Sequence, residues 1–401
     1  MESTHAAVQS PAQRPPGRLV SLDAFRGAIM IFLLSAGFGF REVARKHPDS
    51  EFWQFLSYNT DHAIWLGGGA WDMIQPAFMF MVGVAMPFSY GRRREEGQGL
   101  GPQFRHVMWR TFVLLLIALL IVTKAGESRT NFIFTNVLAQ IALGYPFLFL
   151  LSRTSERAQW ITIGVLAVGT WAVFAAHPAP PADFDYASVG VRPAIAGAVT
   201  LPGFFSHWNM GTNGGADFDR WFLNLFPRDK PFEYNPGGYV TLNFVPSLIT
   251  MTLGLMAGSR LRGNAAAASK LRWLLAAALA CLLAGLLAGG TVCPIVKRIW
   301  TPSWALYSGG IVLLLLAGFH YVIDMRGWNR WSYPFVIVGV NAIAAYLMDM
   351  FFREWVMEKL RSHLGFAVKG DFAIIWFRVL ALLVMWVVCW WMYRRKIFLK
   401  I

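Results

Sequence analysis

DHAIWLGGGAWDMIQPAFMFMVG, at residues 61–83, joins a short polar loop to an apolar run long enough to enter a lipid bilayer. The loop side of this stretch carries the imidazole of His62 and the carboxylate of Asp72. A charged side chain near the centre of a bilayer costs about 2.5–3.5 kcal/mol on insertion scales, so ionisable groups beside a span are candidates for function. The stretch predicts a membrane protein with a polar site at one end of a helix.

The composition of the whole chain supports this prediction. Of 401 residues, 56% are hydrophobic and only 14% are charged, whereas a soluble domain carries about 25% charged residues. The apolar residues collect into segments of about twenty, the length an α-helix needs to cross the hydrocarbon core. We therefore predict an all-α, polytopic membrane protein with about ten transmembrane helices, at 21–40, 71–90, 106–126, 132–151, 158–177, 240–258, 272–290, 303–323, 333–352 and 372–393.

Basic residues alternate along the chain with these segments, although the net charge of +14 by itself also fits nucleic-acid binding. Every second loop is rich in Lys and Arg, and such loops stay in the cytoplasm. This pattern predicts that both termini are cytoplasmic and argues against a nucleic-acid partner. We expect the protein to lie in the inner (plasma) membrane, in contact with lipid. The residues on the basic side include Arg92, Arg93, Arg94, Arg153, Arg157, Arg260, Arg262, Arg326, Arg330, Arg394 and Arg395.

The remaining segments predict a simple domain organisation. Residues 1–18 are polar and rich in proline, which predicts a disordered cytoplasmic tail, and residues 19–401 form one transmembrane domain. Two long segments, 41–70 and 178–239, fall on the extracytoplasmic side, and the second is long enough to cover a site in the membrane. The three cysteines lack metal-ligand spacing, so no metal is predicted.

His62 is the first candidate for chemistry. An imidazole changes protonation near neutral pH and is suited to act as a general base; the alternative is an interfacial histidine bonded to a backbone carbonyl. Trp65 offers a flat surface for a sugar, and Gly67 and Gly68 allow a ligand to approach the backbone closely. Asp72 either orients the imidazole or caps the helix that follows, and the two roles do not exclude each other.

Other polar residues lie at or within the apolar segments. Asp23 and Arg26 are spaced to pair on one helical face, which predicts a structural ion pair. Asn243 and Asn341 are candidate substrate contacts, and Asp349 is a candidate partner for Arg378.

Several stretches resemble the heparan-α-glucosaminide N-acetyltransferase family, in its bacterial branch of unknown function. They are RLVSLDAFRG at 18–27, H-A-x-W-x-G…D…P at 62–76, FMFMVG at 78–83, VLAQIALGY at 137–145, YNPGGYVTLNFVPSLITMTLGLMAG at 234–258 and WTPSWALYSGG at 300–310. The resemblance implies a transmembrane acetyltransferase with His62 at the catalytic histidine position. It further implies acetyl-CoA as cytoplasmic co-substrate and an extracytoplasmic amino sugar or saccharide as acceptor. Ser35 and Gln140 stand where many members carry asparagine and arginine.

The sequence therefore predicts an acyltransferase in which His62 deprotonates the acceptor or carries the acyl group transiently. A transporter or flippase for a saccharide or lipid-linked substrate is the main alternative, and a catalytically inactive relative is a third. Binding of CoA separates the enzyme from both. The acyl chain, the acceptor and the oligomeric state, a homodimer included, stay open.

Overall fold

The computed structural model describes residues 19–124 and 126–399, so the predicted disordered tail at 1–18 lies outside the described residues. Helices dominate the described part, and its only β-type pairing is a pair of isolated bridges from Leu66 and Gly67 to Val296. The predicted all-α class is confirmed. The α-helices are α1 (Val20–Leu34), α2 (Phe40–Lys46), α3 (Glu51–Thr60), α4 (Ile74–Glu95), α5 (Leu100–Val122), α6 (Val137–Leu151), α7 (Glu156–Ala175), α8 (Ala196–Val199), α9 (Gly214–Phe222), α10 (Phe244–Arg262), α11 (Ala267–Thr291), α12 (Pro302–Phe319), α13 (Tyr333–Gly339), α14 (Ala342–Leu364) and α15 (Ala373–Arg394).

Eight helical stretches of the described residues are long and apolar enough to cross a membrane. They are Val20–Lys46, Ala70–Glu95, Leu100–Val122, Glu156–Ala175, Thr241–Arg262, Ala267–Thr291, Pro302–Met325 and Ala373–Arg394. A ninth is reached if Arg330–Gly339 and Ala342–Leu364, which meet at a bend of 64°, form one broken span. The chain is thus a multi-pass membrane protein.

The predicted segment 132–151 differs most from the structure. Its helix, α6, has 15 residues and spans about 22 Å at 1.5 Å per residue, which is less than the roughly 30 Å of a bilayer core. Residues 131–135, just before α6, are not helical. Asn136 caps the helix by accepting a hydrogen bond from the N–H of Ala139 at 3.0 Å. The count of ten spans and the cytoplasmic placement of the termini stay predictions.

Close contact between α4 and α10 fixes the helix that begins beside Asp72. Gly83 of α4 faces the backbone of Met251, and Gly254 of α10 faces the backbone of Phe80, so tightly that a Cβ at either glycine would collide with it. Small residues allow such close packing of membrane helices. Close packing of the two backbones therefore fixes the position of α4, which begins beside Asp72.

The two long segments predicted outside the membrane meet above the helices. The first contains α2, α3 and the His62 loop, and the second contains α8 and α9. A small separate core joins them to the 292–301 connection between α11 and α12, and it includes Trp65, Trp208 and Val296. We call this layer of three segments the outer cap.

Candidate active site

The glycines of the loop that carries His62 hold it against the 292–301 connection and the start of α12. Gly67 has a positive φ of 75°, a conformation that glycine adopts without strain, and its N–H donates to the carbonyl of Ile295 at 2.8 Å. A Cβ on Gly68 would lie 2.8 Å from the ring of Trp304. Both glycines predicted near the substrate therefore shape the loop, Gly67 against the 292–301 connection and Gly68 against the start of α12.

His62 lies directly beside the buried carboxylate of Asp72. Nδ1 of His62 is 2.8 Å from Oδ1 of Asp72. The side chain of His62 is 42% exposed, whereas that of Asp72 is fully buried. Among the described residues, Nε2 of His62 has no hydrogen-bond partner. The imidazole is thus held at one nitrogen and open at the other.

The two oxygens of Asp72 serve different groups. Oδ2 accepts hydrogen bonds from the N–H of Ala63 at 3.0 Å and from the N–H of Gly69 at 3.2 Å. Oδ1 faces His62. Asp72 therefore accepts backbone N–H groups at the start of the helix, as a cap does, and also contacts the imidazole of His62. It ties the loop to the first turn before α4.

Lys297 completes the cluster and was not identified from the sequence. Its Nζ lies 2.8 Å from Oδ1 of Asp72 and 2.9 Å from Nδ1 of His62. Its side chain is only 4% exposed. The available signal was the pair Lys297 and Arg298 in the otherwise apolar connection between α11 and α12, because a buried lysine requires a charged partner.

The surroundings favour a neutral imidazole. Burial lowers the pKa of His62, and the positive charges of Lys297 and Arg298 lower it further, against the opposing effect of Asp72. Burial also lowers the pKa of Lys297, which its contact with Asp72 opposes. When Nδ1 donates its proton to Asp72, Nε2 carries the free lone pair, which is the form that a base or nucleophile requires.

Arg298 connects this cluster to the second outer segment. It donates hydrogen bonds to the carbonyls of Ala63 at 3.2 Å and Gly237 at 2.7 Å, and its guanidinium lies 5.5 Å from the ring centre of Tyr239. Nδ2 of Asn243 donates to the carbonyl of Arg298 at 2.8 Å, while Oδ1 of Asn243 is buried without a partner among the described residues. The structure thus brings Asn243 near the histidine loop through Arg298.

Comparison with known proteins finds similarity to the same family as the sequence motifs. The family model for heparan-alpha-glucosaminide N-acetyltransferase, catalytic, matches residues 18–190. The human heparan-alpha-glucosaminide N-acetyltransferase is 23% identical over 439 residues, and the mouse protein of that name is 22% identical over 434 residues. Each alignment covers 96% of this chain and 60% of the relative, so the chain spans 60% of their length.

The predicted resemblance to this family is confirmed. The matched residues 18–190 include His62 and Asp72 but end before Lys297 and Arg298. Ser35 and Gln140, the two positions that depart from many family members, are both buried. Ser35 donates to the carbonyl of Phe32 at 2.6 Å, and Gln140 accepts from Gln75 at 3.1 Å. Both side chains thus make hydrogen bonds within the helical core.

Two residues predicted to contact substrate are placed in structural positions. Trp65 is 1% exposed, and its Nε1 donates to the carbonyl of Trp208 at 3.1 Å, so its ring joins the outer cap instead of offering a stacking surface. Asn341 is fully buried at the break between α13 and α14. Its amide donates to the carbonyl of Ile397 at 3.0 Å and accepts from the N–H of Leu399 at 3.1 Å, which holds the C-terminal segment.

The predicted ion pairs have different outcomes. Asp23 and Arg26 pair at 3.7 Å within α1, as expected. The suggested pair between Asp349 and Arg378 is wrong. Asp349 instead accepts from Nε of Arg353 at 2.6 Å, one helical turn along α14, and Arg378 lies 3.8 Å from Glu42. A partner on the same helix is already in place when the helix forms, which favours it over one on a neighbouring helix.

Proposed function

We propose that this protein is an inner-membrane acyltransferase that moves an acetyl group from acetyl-CoA to an amino sugar or other saccharide outside the cytoplasm. The observation that carries the proposal is the partly exposed His62, held at Nδ1 by the buried Asp72 beside Lys297. The similarity to N-acetyltransferases supports the reaction class. The contact with membrane lipid follows from the apolar helices.

The chemistry follows from the open nitrogen of His62. In direct transfer, Nε2 takes a proton from the acceptor amine or hydroxyl while that group attacks the thioester carbonyl. The C–S bond then breaks, and the CoA thiolate receives the proton from the imidazolium. In the two-step alternative, Nε2 itself attacks the carbonyl and the C–S bond breaks, releasing the CoA thiolate. The acceptor then attacks the acetyl group on Nε2, the N–C bond breaks, and the acceptor's proton passes to the thiolate. Both routes require the neutral imidazole described above.

Asp72 and Lys297 have complementary roles in this proposal. Asp72 fixes the ring and stabilises the imidazolium that forms during proton transfer, as a carboxylate does behind a catalytic histidine. Lys297 balances the charge of Asp72 in the resting state and so keeps His62 from being protonated too easily. The pair thus sets both the orientation and the basicity of the histidine.

Arginines on the opposite side of the molecule suit the CoA phosphates. Arg93, near the end of α4, lies 3.1 Å from Nε2 of His106, and Arg110 of α5 donates to the hydroxyl of Tyr145 at 3.1 Å. Guanidinium groups bind phosphates through paired N–H donors. We infer that the donor approaches from this basic face and that its acetyl end extends towards His62.

Acetyl transfer by the purified protein tests the proposal. With labelled acetyl-CoA and glucosamine in detergent, the wild-type protein should form acetylated sugar, and His62→Ala should be slower by about 10²–10⁴-fold because it lacks the positioned base. His363→Ala is the matched control, since His363 is an exposed histidine at the end of α14. Equal rates for His62→Ala and His363→Ala would contradict the assignment.

Binding of CoA addresses the transporter alternative separately. A protein that only moves a saccharide has no need of a CoA site, so stabilisation of the wild-type protein by CoA in a thermal-shift experiment supports the enzyme.

A further inference from the structure

An apolar cavity of about 450 Å³ lies between α1, α4 and α12, below the histidine loop. Its volume is within the roughly 300–1,000 Å³ that ligand pockets commonly have. Phe25 and Ile29 of α1 form one wall, and Ile311 and Leu315 of α12 form another. None of the described lining residues is charged. The cavity therefore suits a ligand without charge or hydrogen-bonding groups.

The lining argues that hydrocarbon, and not water, fills this cavity. Protein interiors contain few voids larger than a water molecule, because wall atoms that face empty space lose their dispersion contacts. A buried water needs about two to four polar partners, and apolar cavities stay dry and take up apolar ligands instead. The polar side chains on the described wall are only those of Tyr58 and Asn59, at the upper end. The amide of Asn59 already donates to the carbonyl of Phe55 at 3.1 Å.

The cavity opens between α1 and α12 towards the lipid bilayer. Leu315 on its wall is 45% exposed, and the neighbouring Leu314 is 40% exposed, whereas Phe25 and Ile29 deeper in the wall are buried. Both helices belong to stretches that are long and apolar enough to cross a membrane. The medium outside such an opening is the hydrocarbon of the lipid tails. An acyl chain is therefore the apolar group that has access to the cavity.

The short helix α3 indicates the leaflet from which the chain enters. Phe52, Phe55 and Tyr58 of α3 are 61%, 65% and 59% exposed, and their spacing of three places them on one helical face. Aromatic side chains of this kind favour the membrane–water interface. Since Tyr58 also lines the cavity, the upper end of the cavity lies at the level of the outer headgroups.

The upper end of the cavity is formed by the turn that holds Asp72. Gly68 and Gly69 line it, and the N–H of Gly69 donates to Asp72 at 3.2 Å. The packing around this turn is tight, because a Cβ on Gly69 would lie 2.5 Å from the carbonyl oxygen of Tyr58. His62 is not among the described lining residues. A chain in the cavity therefore touches the turn from below and stays apart from the proposed reacting nitrogen.

We propose that this cavity binds one acyl chain of a phospholipid from the outer leaflet, and that the bound chain supports the turn that holds Asp72. This phospholipid is a resident ligand and neither donor nor acceptor, so the site goes beyond the proposed function. Because the described wall carries no charge, the site selects the hydrocarbon chain and not the charge of the headgroup.

Photo-crosslinking of the full-length protein in lipid nanodiscs tests the site without requiring turnover. The probe is phosphatidylethanolamine with a diazirine in its acyl chain, and labelled residues are mapped by mass spectrometry. We expect the wild-type protein to be labelled at Phe25 and Ile29, which lipid around the outside of the bundle does not reach. Ala28→Phe and Ile311→Phe fill the cavity from opposite walls, and each should reduce this labelling at least tenfold.

Ala280→Phe is the matched control, because Ala280 is exposed on α11 and its substitution should leave the labelling of Phe25 and Ile29 unchanged. Labelling confined to exposed side chains such as Leu315, or equal labelling of the wild-type protein and both filled variants, would overturn the site. Unlabelled phosphatidylglycerol should compete as well as unlabelled phosphatidylethanolamine. A tenfold advantage for the anionic lipid would show that the headgroup and not the chain is recognised.

Hydrogen exchange tests the support that the chain gives to the turn. Removal of lipid with detergent should speed the exchange of amides 68–74 several-fold in the wild-type protein, and added phosphatidylethanolamine should restore protection. In Ala28→Phe, where the added ring replaces the chain, exchange should respond little to lipid. Unchanged exchange in the delipidated wild-type protein would contradict the supporting role.

Discussion

At the scale of single residues, the proposed chemistry depends on three side chains from two distant parts of the chain. His62 and Asp72 come from one loop, and Lys297 comes from the connection between α11 and α12. The sequence identified the first two, since an imidazole and a carboxylate beside an apolar run are conspicuous. Lys297 could not be assigned, because its role depends on a contact between the histidine loop and the distant 292–301 connection that local patterns do not encode.

Removing the charge of Lys297 tests its effect on His62. Lys297→Met deletes a cation that lowers the pKa of His62, so that pKa rises and the imidazole becomes protonated at a higher pH than in the wild-type protein. The acidic limb of the pH–rate profile should therefore move to higher pH, with activity recovering as the pH is raised further. A residue that only holds the loop would reduce the rate at every pH without moving the limb.

At the scale of helices, the apolar segments of the sequence predicted where most spans lie, and the exceptions have local causes. The ninth segment is broken at Asn341, whose amide is used by the C-terminal segment. The fourth predicted segment, 132–151, becomes helical only after Asn136, which caps the helix. Hydropathy reports how much of a segment is apolar, but it does not report which polar side chain finds a partner from another part of the chain.

The contact between α4 and α10 makes a prediction at the same scale. Gly254→Ala places a methyl group against the backbone of Phe80, and such overpacking costs about 1–3 kcal/mol. We expect a lower melting temperature in detergent. Gly169→Ala in α7 is the control, because a Cβ there meets no atom within 4 Å and alanine is the better helix former. Equal melting temperatures for the two variants would show that α4 and α10 are not tightly packed.

At the scale of the whole molecule, the two ends of the helical bundle are chemically different. The basic loops that include Arg92–Arg94 and Arg260 lie at the end opposite His62, Lys297 and the outer cap. This polarity supports a reaction whose donor and acceptor arrive from opposite sides. The sequence predicted it from the alternation of charge, since that pattern depends on the order of the loops and not on their contacts.

Acetyl transfer across a sealed membrane tests the central claim most directly. Protein is reconstituted into lipid vesicles with glucosamine inside, labelled acetyl-CoA is added outside, and molecules with the basic face outward are the active ones. We expect labelled N-acetylglucosamine inside the vesicles, with His62→Ala giving at least a hundredfold less, in line with loss of a general base. Vesicles in which His62→Ala forms as much enclosed product as the wild-type protein, or in which the wild-type protein forms none, would contradict it.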